Sequence, residues 1–305
     1  MRFGLQVYSF TWPGGPEAIG PTLARVVHTA DEAGFDSIWV MDHFWQIGAP
    51  GSEIEPMLEG WTALGFMAAH TQRARLGLMV GGVHYRNPGL WVKAATTLDV
   101  LSGGRAWLGL GAGWNRAESV GLGFDFPDTK TRFDMLEDTL QIAHQMFEGA
   151  RGSEESYQGR QFSAERLLNA PQSISRPRVP IMIGGGGEKK TLRLVAQYAD
   201  ASNLFGGADQ LRHKYQILAE HCEAVGRPFE EIERTTLQSV SLLAPNAWRS
   251  TPESPDELVD RFGSLGDAGV QQVIINTADV HNPAAIEMLA IEVMPQLKEL
   301  GSQQV

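Results

Sequence analysis

Short apolar runs alternate with longer amphipathic stretches along almost the whole chain, a strand period giving way repeatedly to a helix period. The runs predict strands at residues 3–8, 37–41, 77–83, 106–110, 180–183, 199–205, 234–243 and 270–276. Between the first two, Ile19, Leu23, Val26, Val27 and Ala30 form one helical face that Gly34 ends. Residues 57–71 read as the next helix. Asn87-Pro88 then opens a third, with Asn as cap and Pro at the first helical position, and Ser102-Gly103-Gly104 stops it. Its inward face is predicted to be Leu90, Ala94, Thr97, Leu98 and Leu101. Phe133, Leu136, Leu140, Ala143 and Phe147 make another stripe, and later helices run through Leu192 and Val195 and from Leu211 to Val225. Ser254-Pro255-Asp256-Glu257 is a capping box whose helix ends at Gly269, and Asn282-Pro283 begins the last helix.

Strands alternating with helices imply a parallel sheet with crossover helices. Eight such units predict an α/β fold, a TIM (β/α)8 barrel in preference to an open doubly wound sheet. Residues 149–179 are polar with little periodicity and read as an insertion into the barrel. No composition break or short repeat divides the chain, so residues 1–305 are expected to form a single domain.

Charge narrows the partners. A net charge of −11 argues against nucleic acid and against an anionic membrane surface, and an anionic ligand would need a local feature to hold it. One cysteine, Cys222, excludes an internal disulfide framework, and its place among charged residues on a helix gives it no nucleophile context. The start lacks a signal-peptide pattern and no apolar run reaches membrane-span length, so the expected location is the cytoplasm.

In a β/α barrel the chemistry sits at the C-terminal ends of the strands. Those ends carry Tyr8 to Phe10, Asp42-His43, Gly81 to Arg86, Gly111 to Trp114, Gly184 to Gly187, Asn203 and Asn276. His43 is the acid–base candidate, since imidazole titrates near neutral pH. Four successive glycines, Gly184, Gly185, Gly186 and Gly187, ahead of a helix suit a phosphate, with Lys189, Lys190 and Arg193 nearby. Gly111-Ala112-Gly113-Trp114 is a loop almost bare until its indole, which suits a flat ligand. Phe10, Trp12 and Trp45 stand near strand ends and are candidates for an apolar substrate pocket. Glu118 reads as a solvated or capping carboxylate, and Arg86 as either an anion ligand or a loop pin. No His-x-His follows the first strand and no His-Glu-x-x-His occurs, so no metal is expected.

These motifs resemble the bacterial luciferase-like flavin oxidoreductase family, in its branch using the deazaflavin coenzyme F420. The resemblance is carried by Phe3-Gly4-Leu5-Gln6, Ala33 to Ser37, Asp42-His43-Phe44, Tyr85-Arg86-Asn87-Pro88, Leu98 to Arg105, Gly109 to Trp114, and Ile183 to Gly187 followed by Ala199-Asp200. It implies a deazaflavin-dependent oxidoreductase moving a hydride to or from an apolar or aromatic small molecule. FMN, in a monooxygenase working with a separate flavin reductase, is the alternative, and a flavin-binding barrel without turnover is a second.

The resemblance further implies that the ring packs on a third-strand bulge at Leu78, Met79, Val80 and Gly81, where relatives have a non-prolyl cis peptide. His43 would lie at the reactive ring edge, beside Asp42. Tyr85, Gly111, Ala112, Gly113, Trp114 and Thr191 would line the remainder, with the phosphate at Gly184 to Gly187. Sugar-phosphate dehydrogenases of the family place a carboxylate soon after the fourth-strand glycines, where this chain has Trp114; that argues against a sugar-phosphate substrate. Loops 9–16, 45–56 and 149–179 are expected to set the substrate. A homodimer and a partner enzyme that reduces the cofactor are also implied.

Overall fold

The computed structural model describes residues 1–48, 52–243 and 251–302. Its barrel strands are β1 (Arg2–Val7), β2 (Ser37–Val40), β3 (Arg75–Leu78), β4 (Ala106–Gly111), β5 (Ile181–Gly184), β6 (Ala201–Leu204), β7 (Glu233–Ser239) and β8 (Gln272–Asn276). All are parallel; β1 pairs with both β2 and β8, and β3 pairs with β4, so the sheet closes on itself. The expected eight-stranded barrel is the fold.

The third strand departs from the continuous run predicted over 77–83. It begins at Arg75 and breaks after Leu78, and Gly81–Gly82 then rejoins the sheet against Leu110 and Gly111. Between the pieces, the Met79–Val80 peptide is cis. The neighbouring strand accommodates this bulge because Gly109 has no side chain: a Cβ there would lie 1.9 Å from the Leu78 carbonyl oxygen.

Inside the barrel Trp39, Met79, Trp107, Met182, Ala201 and Ile274 form a buried cluster. The indole of Trp39 donates to Ser37 Oγ at 2.7 Å, so its polar edge is satisfied within the core. A Cβ on Gly4 would come within 2.6 Å of Ser37 Oγ, and glycine there leaves room for this pair. The cluster closes the barrel's lower part and leaves the strand C-termini to form a cavity.

The helices are α1 (Pro16–Glu32), α2 (Gly60–Ala69), α3 (Pro88–Ser102), α4 (Arg116–Gly121), α5 (Thr129–Met146), α6 (Thr191–Tyr198), α7 (Ala208–Val225), α8 (Pro255–Asp267), α9 (Pro283–Met288) and α10 (Met294–Ser302), the last two joined by a π turn over Leu289–Val293. The predicted caps form: Asn87 accepts from the Gly89 amide, and Ser254 and Glu257 make the reciprocal capping box. Gly103 terminates α3 in the left-handed conformation, at φ 72°.

Two expectations are corrected. The buried face of α3 is Trp91, Val92, Ala95, Thr96, Leu98 and Asp99, whereas Leu90 and Leu101 are exposed. The helix is apolar on more than one side, and burying the Trp91 indole decides the orientation. Residues 149–179, expected to help set the substrate, do not reach the strand ends. They connect α5 to β5 and contribute no residue to the cavity. Two buried carboxylates hold them against α3 and α5: Asp99 accepts from the Ile174 and Ser175 amides, and Asp138 from those of Arg160, Gln161 and Phe162. Among the described residues no helix is long and apolar enough to cross a membrane.

Candidate active site

The strand C-termini open into a cavity of about 880 Å³, within the range of small-molecule sites. Met79, Val80, Gly81 and Gly82 form one wall. Val80 is wedged between two bare strand ends: a Cβ on Gly184 would lie 2.7 Å from it, and one on Gly111 2.9 Å. The glycines therefore let the bulge stand against β4 and β5 and present a smooth face. Gly184, Gly185, Gly187 and Thr191 continue the lining, and Gly185 has a positive φ of 121°. Gln6, Asn203, Ser239 and Asn276 add polar groups from β1, β6, β7 and β8.

His43 follows β2 and lines the cavity with its side chain 12% exposed. Its Nδ1 lies 2.8 Å from Glu118 Oε2 on α4. Glu118 is fully buried, and it is not the solvated or capping carboxylate that its position suggested. Asn115 does cap the helix by accepting from the Glu118 amide, but the Glu118 side chain turns the other way. Its Oε1 accepts from the Phe44 and Trp45 amides at 2.6 and 2.8 Å, and its Oε2 also accepts from the Tyr85 hydroxyl at 2.5 Å. Burial alone would raise its pKa; the bonds from His43, the Trp45 amide and Tyr85 outweigh that and hold the carboxyl below its ordinary range. An ionised Glu118 accepts only, so it takes the Nδ1–H and leaves the Nε2 lone pair of His43 available. Burial, together with the same contact, pushes the Tyr85 phenol above its usual range.

Beneath this pair lies a second network. His84 Nε2 is 2.8 Å from Ser119 Oγ, and burial together with the nearby charge of Arg132 lowers its pKa to about 4. A Cβ on Gly113 would come 2.5 Å from the His84 ring, so the loop bearing Trp114 rests directly on that imidazole. Trp114 meets His43 edge-on, with centroids 5.5 Å apart, and is 65% exposed.

Arg86, for which two roles were open, pins a loop. Its Nη1 donates to Asp42 at 2.8 Å, its Nη2 to Glu59 at 2.6 Å, and its guanidinium lies 4.6 Å from the Trp91 ring centre. Asp42 also accepts from the Gly82 amide, which ties the end of β2 to the third-strand bulge.

The structure thus brings together at one cavity His43, Asp42, Met79, Val80, Gly81, Tyr85, Gly111, Ala112, Gly113, Trp114, Gly184, Gly185, Gly187 and Thr191. It does not bring Leu78 or Gly186 there: Leu78 is fully buried in the core, and Gly186 faces outward from the turn. Nor do the three aromatic substrate candidates reach it. Phe10 and Trp12 are buried against each other and His281, and Trp45 packs over Gly121. Of the cations expected near the glycine run, Arg193 is turned to Glu137 and Gln197, while Lys190 lies over the Phe133 ring.

Sequence reasoning missed two contributors. Glu118 was hidden by its resemblance to a cap. The inward face of α5, Thr129, Arg132, Phe133 and Leu136, lines the cavity although only its apolar members stood out in the pattern. Among the described residues no cluster of three or more His, Cys, Asp or Glu could hold a metal ion.

Comparison with known proteins gives four findings. A family model described as luciferase-like monooxygenase matches residues 1–284. The chain is 30% identical over 240 residues to an F420-dependent glucose-6-phosphate dehydrogenase of Nakamurella multipartita, covering 76% of this chain and 67% of that protein. It is 24% identical over 348 residues to the enzyme of the same name from Microbacterium testaceum, covering 98% of each. Its fold is similar to the F420-dependent tetrahydromethanopterin reductase of Methanopyrus kandleri, with a TM-score of 0.78, 18% identity, and 96% and 98% of the two chains covered.

Proposed function

Because the chain belongs to the luciferase-like monooxygenase family, we propose that it is a coenzyme F420-dependent oxidoreductase transferring a hydride between the deazaflavin and an apolar or aromatic small molecule. The observation that carries this reading is His43, held by buried Glu118 beside a cavity whose walls are bare backbone at Gly81, Gly82, Gly111, Gly113 and Gly184. Relatives named for F420-dependent dehydrogenation support the choice of cofactor.

The residues fit such a group. Added Cβ atoms at Gly111 and Gly184 would displace Val80 into the space a flat ring would take, so the glycines keep that wall planar. Gly185, Gly187 and the Thr191 hydroxyl would hold the phosphate-bearing tail. When bound, coenzyme F420 supplies a ring carbon that accepts or gives hydride. The chain's own chemistry is at His43: Nε2 takes a proton from a substrate oxygen or returns one, and Glu118 offsets the imidazolium charge that results. Trp114 and Phe205, 65% and 61% exposed at the cavity mouth, provide apolar surface for the substrate and shield the site from water.

The test is a paired titration of the purified protein with coenzyme F420 and FMN, each oxidised and reduced, followed by absorbance and fluorescence. Micromolar or tighter binding of the deazaflavin with much weaker FMN binding is expected. The opposite preference, with oxygen uptake on adding reduced FMN, would replace this reading with a flavin monooxygenase.

A further inference from the structure

We infer that Arg132 is the cavity's anion receptor, the cation that takes a phosphate or carboxylate group of a bound ligand. The inference rests on the cofactor reading above for one of its two possible sources. Arg132 lies on α5 with only 8% of its surface exposed, and it lines the cavity. It forms no ion pair among the described residues. Its Nε donates to the Ala112 carbonyl at 3.0 Å, Nη1 to the Pro127 carbonyl, and Nη2 to Thr129 Oγ1 at 3.4 Å. A guanidinium has five N–H donors. The other two have no acceptor among the described residues.

Two other arginines of this chain show what the alternatives look like. Arg105 is a structural strut: every one of its donors is taken, by Ser102, Thr71, Ala74 and Ala68, and it is remote from the cavity. Arg86 is a buried ion-pair partner, neutralised by Asp42 and Glu59. Arg132 is neither. It keeps a full charge, spare donors and contact with the cavity at once. The Asp128 carboxylate, four residues earlier on the chain, acts on it only across space without a direct ion pair, so a ligand anion both compensates the buried charge and uses the free fork. The surroundings hold it ready: the guanidinium lies 4.0 Å from the Phe126 ring centre, and its two carbonyl bonds fix its orientation.

Placement favours a ligand that runs along α5. Thr129, Arg132, Phe133 and Leu136 share the face toward the cavity, polar at the helix start and apolar beyond. Lys190, at the end of the glycine turn, lies over Phe133, so the Gly184 to Gly187 run and Arg132 border the same side of the site. The anion is therefore a phosphate of the cofactor or an acidic group of the substrate.

Arg132→Gln keeps a donor for the carbonyls and removes the charge, and Arg132→Lys keeps the charge and loses the fork. Both would be titrated with coenzyme F420 and with its phosphate-free deazaflavin core, and their melting temperatures followed with inorganic phosphate at constant ionic strength. For the cofactor as source, R132Q weakens coenzyme F420 by about 10-fold or more, leaves the core within about 2-fold, and R132K lies between. For the substrate as source, both cofactor forms bind as in the wild type, while KM rises about 10-fold for acidic substrates and stays level for neutral analogues. In either case phosphate raises the wild-type melting temperature and not that of R132Q. The inference is overturned if R132Q loses the coenzyme and the core equally, or if it is indistinguishable from wild type in binding, KM discrimination and phosphate response. Failure of wild type to bind either deazaflavin would instead reject the cofactor reading, with the phosphate response still testing Arg132.

Discussion

Glu118 and His43 are 75 positions apart, and their carboxylate–imidazole contact at 2.8 Å joins α4 to the end of β2. The same carboxylate collects the Phe44 and Trp45 amides, so one buried group sets both the imidazole's tautomer and the path of the loop that follows it. A carboxylate bonded to Nδ1 defines which ring nitrogen is free for chemistry, and loss of such a partner typically costs activity through the wrong tautomer.

Glu118→Gln tests that division of labour. The amide oxygen can still accept from Phe44 and Trp45, but its NH₂ then faces Nδ1 and moves the imidazole proton to Nε2. The rate of hydride transfer is expected to fall about 100-fold, as for loss of a positioned base, with the cofactor Kd within about 3-fold of wild type. Stopped-flow absorbance of the cofactor gives the rate and equilibrium fluorescence the Kd. A variant with an unchanged rate and pH profile would remove Glu118 from any role in proton transfer.

His84 gives the protein a predictable pH response. Burial and Arg132 lower its pKa to about 4, against 6.5 unperturbed. Between those values the unfolded chain binds a proton that the folded state refuses, so stability rises with pH across the window. The contribution is complete above pH ~6.5, declines as pH falls, and levels off below about 4. Thermal melts of wild type and His84→Gln between pH 7.5 and 4.5 should therefore converge toward the acid end, with the wild type losing ~5 °C more than the variant. Parallel curves would show that folding does not depress the His84 pKa.

How much of this was legible in the sequence follows from what kind of signal each feature leaves. Alternation of strand and helix periods is local, so the eight strands and the caps at Asn87 and Ser254 could be read directly. Glycine runs are local as well, which is why Gly111 to Gly113 and Gly184 to Gly187 stood out, all but Gly186 lying at the cavity. Glu118 could not be read, because Asn115-x-x-Glu118 looks like a cap until the amides of Phe44 and Trp45 are known to lie opposite. Arg132 sits in an ordinary charged helix, and only burial without a carboxylate partner distinguishes it from Arg193. Phe10 and Trp12 erred in the other sense: aromatic side chains near a strand end pack inward as readily as they line a pocket, and here they stack beside His281.

Gly113→Ala tests whether the His84 layer supports the cavity. Gly113 has φ 74°, where a side chain is strained, and its Cβ would meet the His84 ring at 2.5 Å. The loop must shift, taking Trp114 away from its edge contact with His43. A loss of ~1–3 kcal/mol in stability is expected from the backbone alone, together with a clear change in tryptophan fluorescence and weaker substrate binding. Retention of both melting temperature and KM would mean that the loop adapts without cost.

Val80 and Gly184 provide the sharpest test of the proposed ring-facing wall. Alanine at 184 would place a Cβ 2.7 and 3.0 Å from the two Val80 methyls, closer than real contacts allow. Val80 is also against Gly111, whose added Cβ would be 2.9 Å away, so its room to retreat lies toward the cavity. Gly184→Ala should therefore weaken deazaflavin binding by about 10-fold, on the scale of an overpacked contact. If the cause is the push on Val80, then Val80→Ala in the same chain removes the clash and brings affinity back to within about 3-fold of Val80→Ala alone. That non-additivity is the informative quantity, because two residues in contact couple whereas independent defects add. Additive losses in the double variant would place the effect of Gly184→Ala in the backbone of the glycine run, and Val80 would no longer be the surface on which the ring rests.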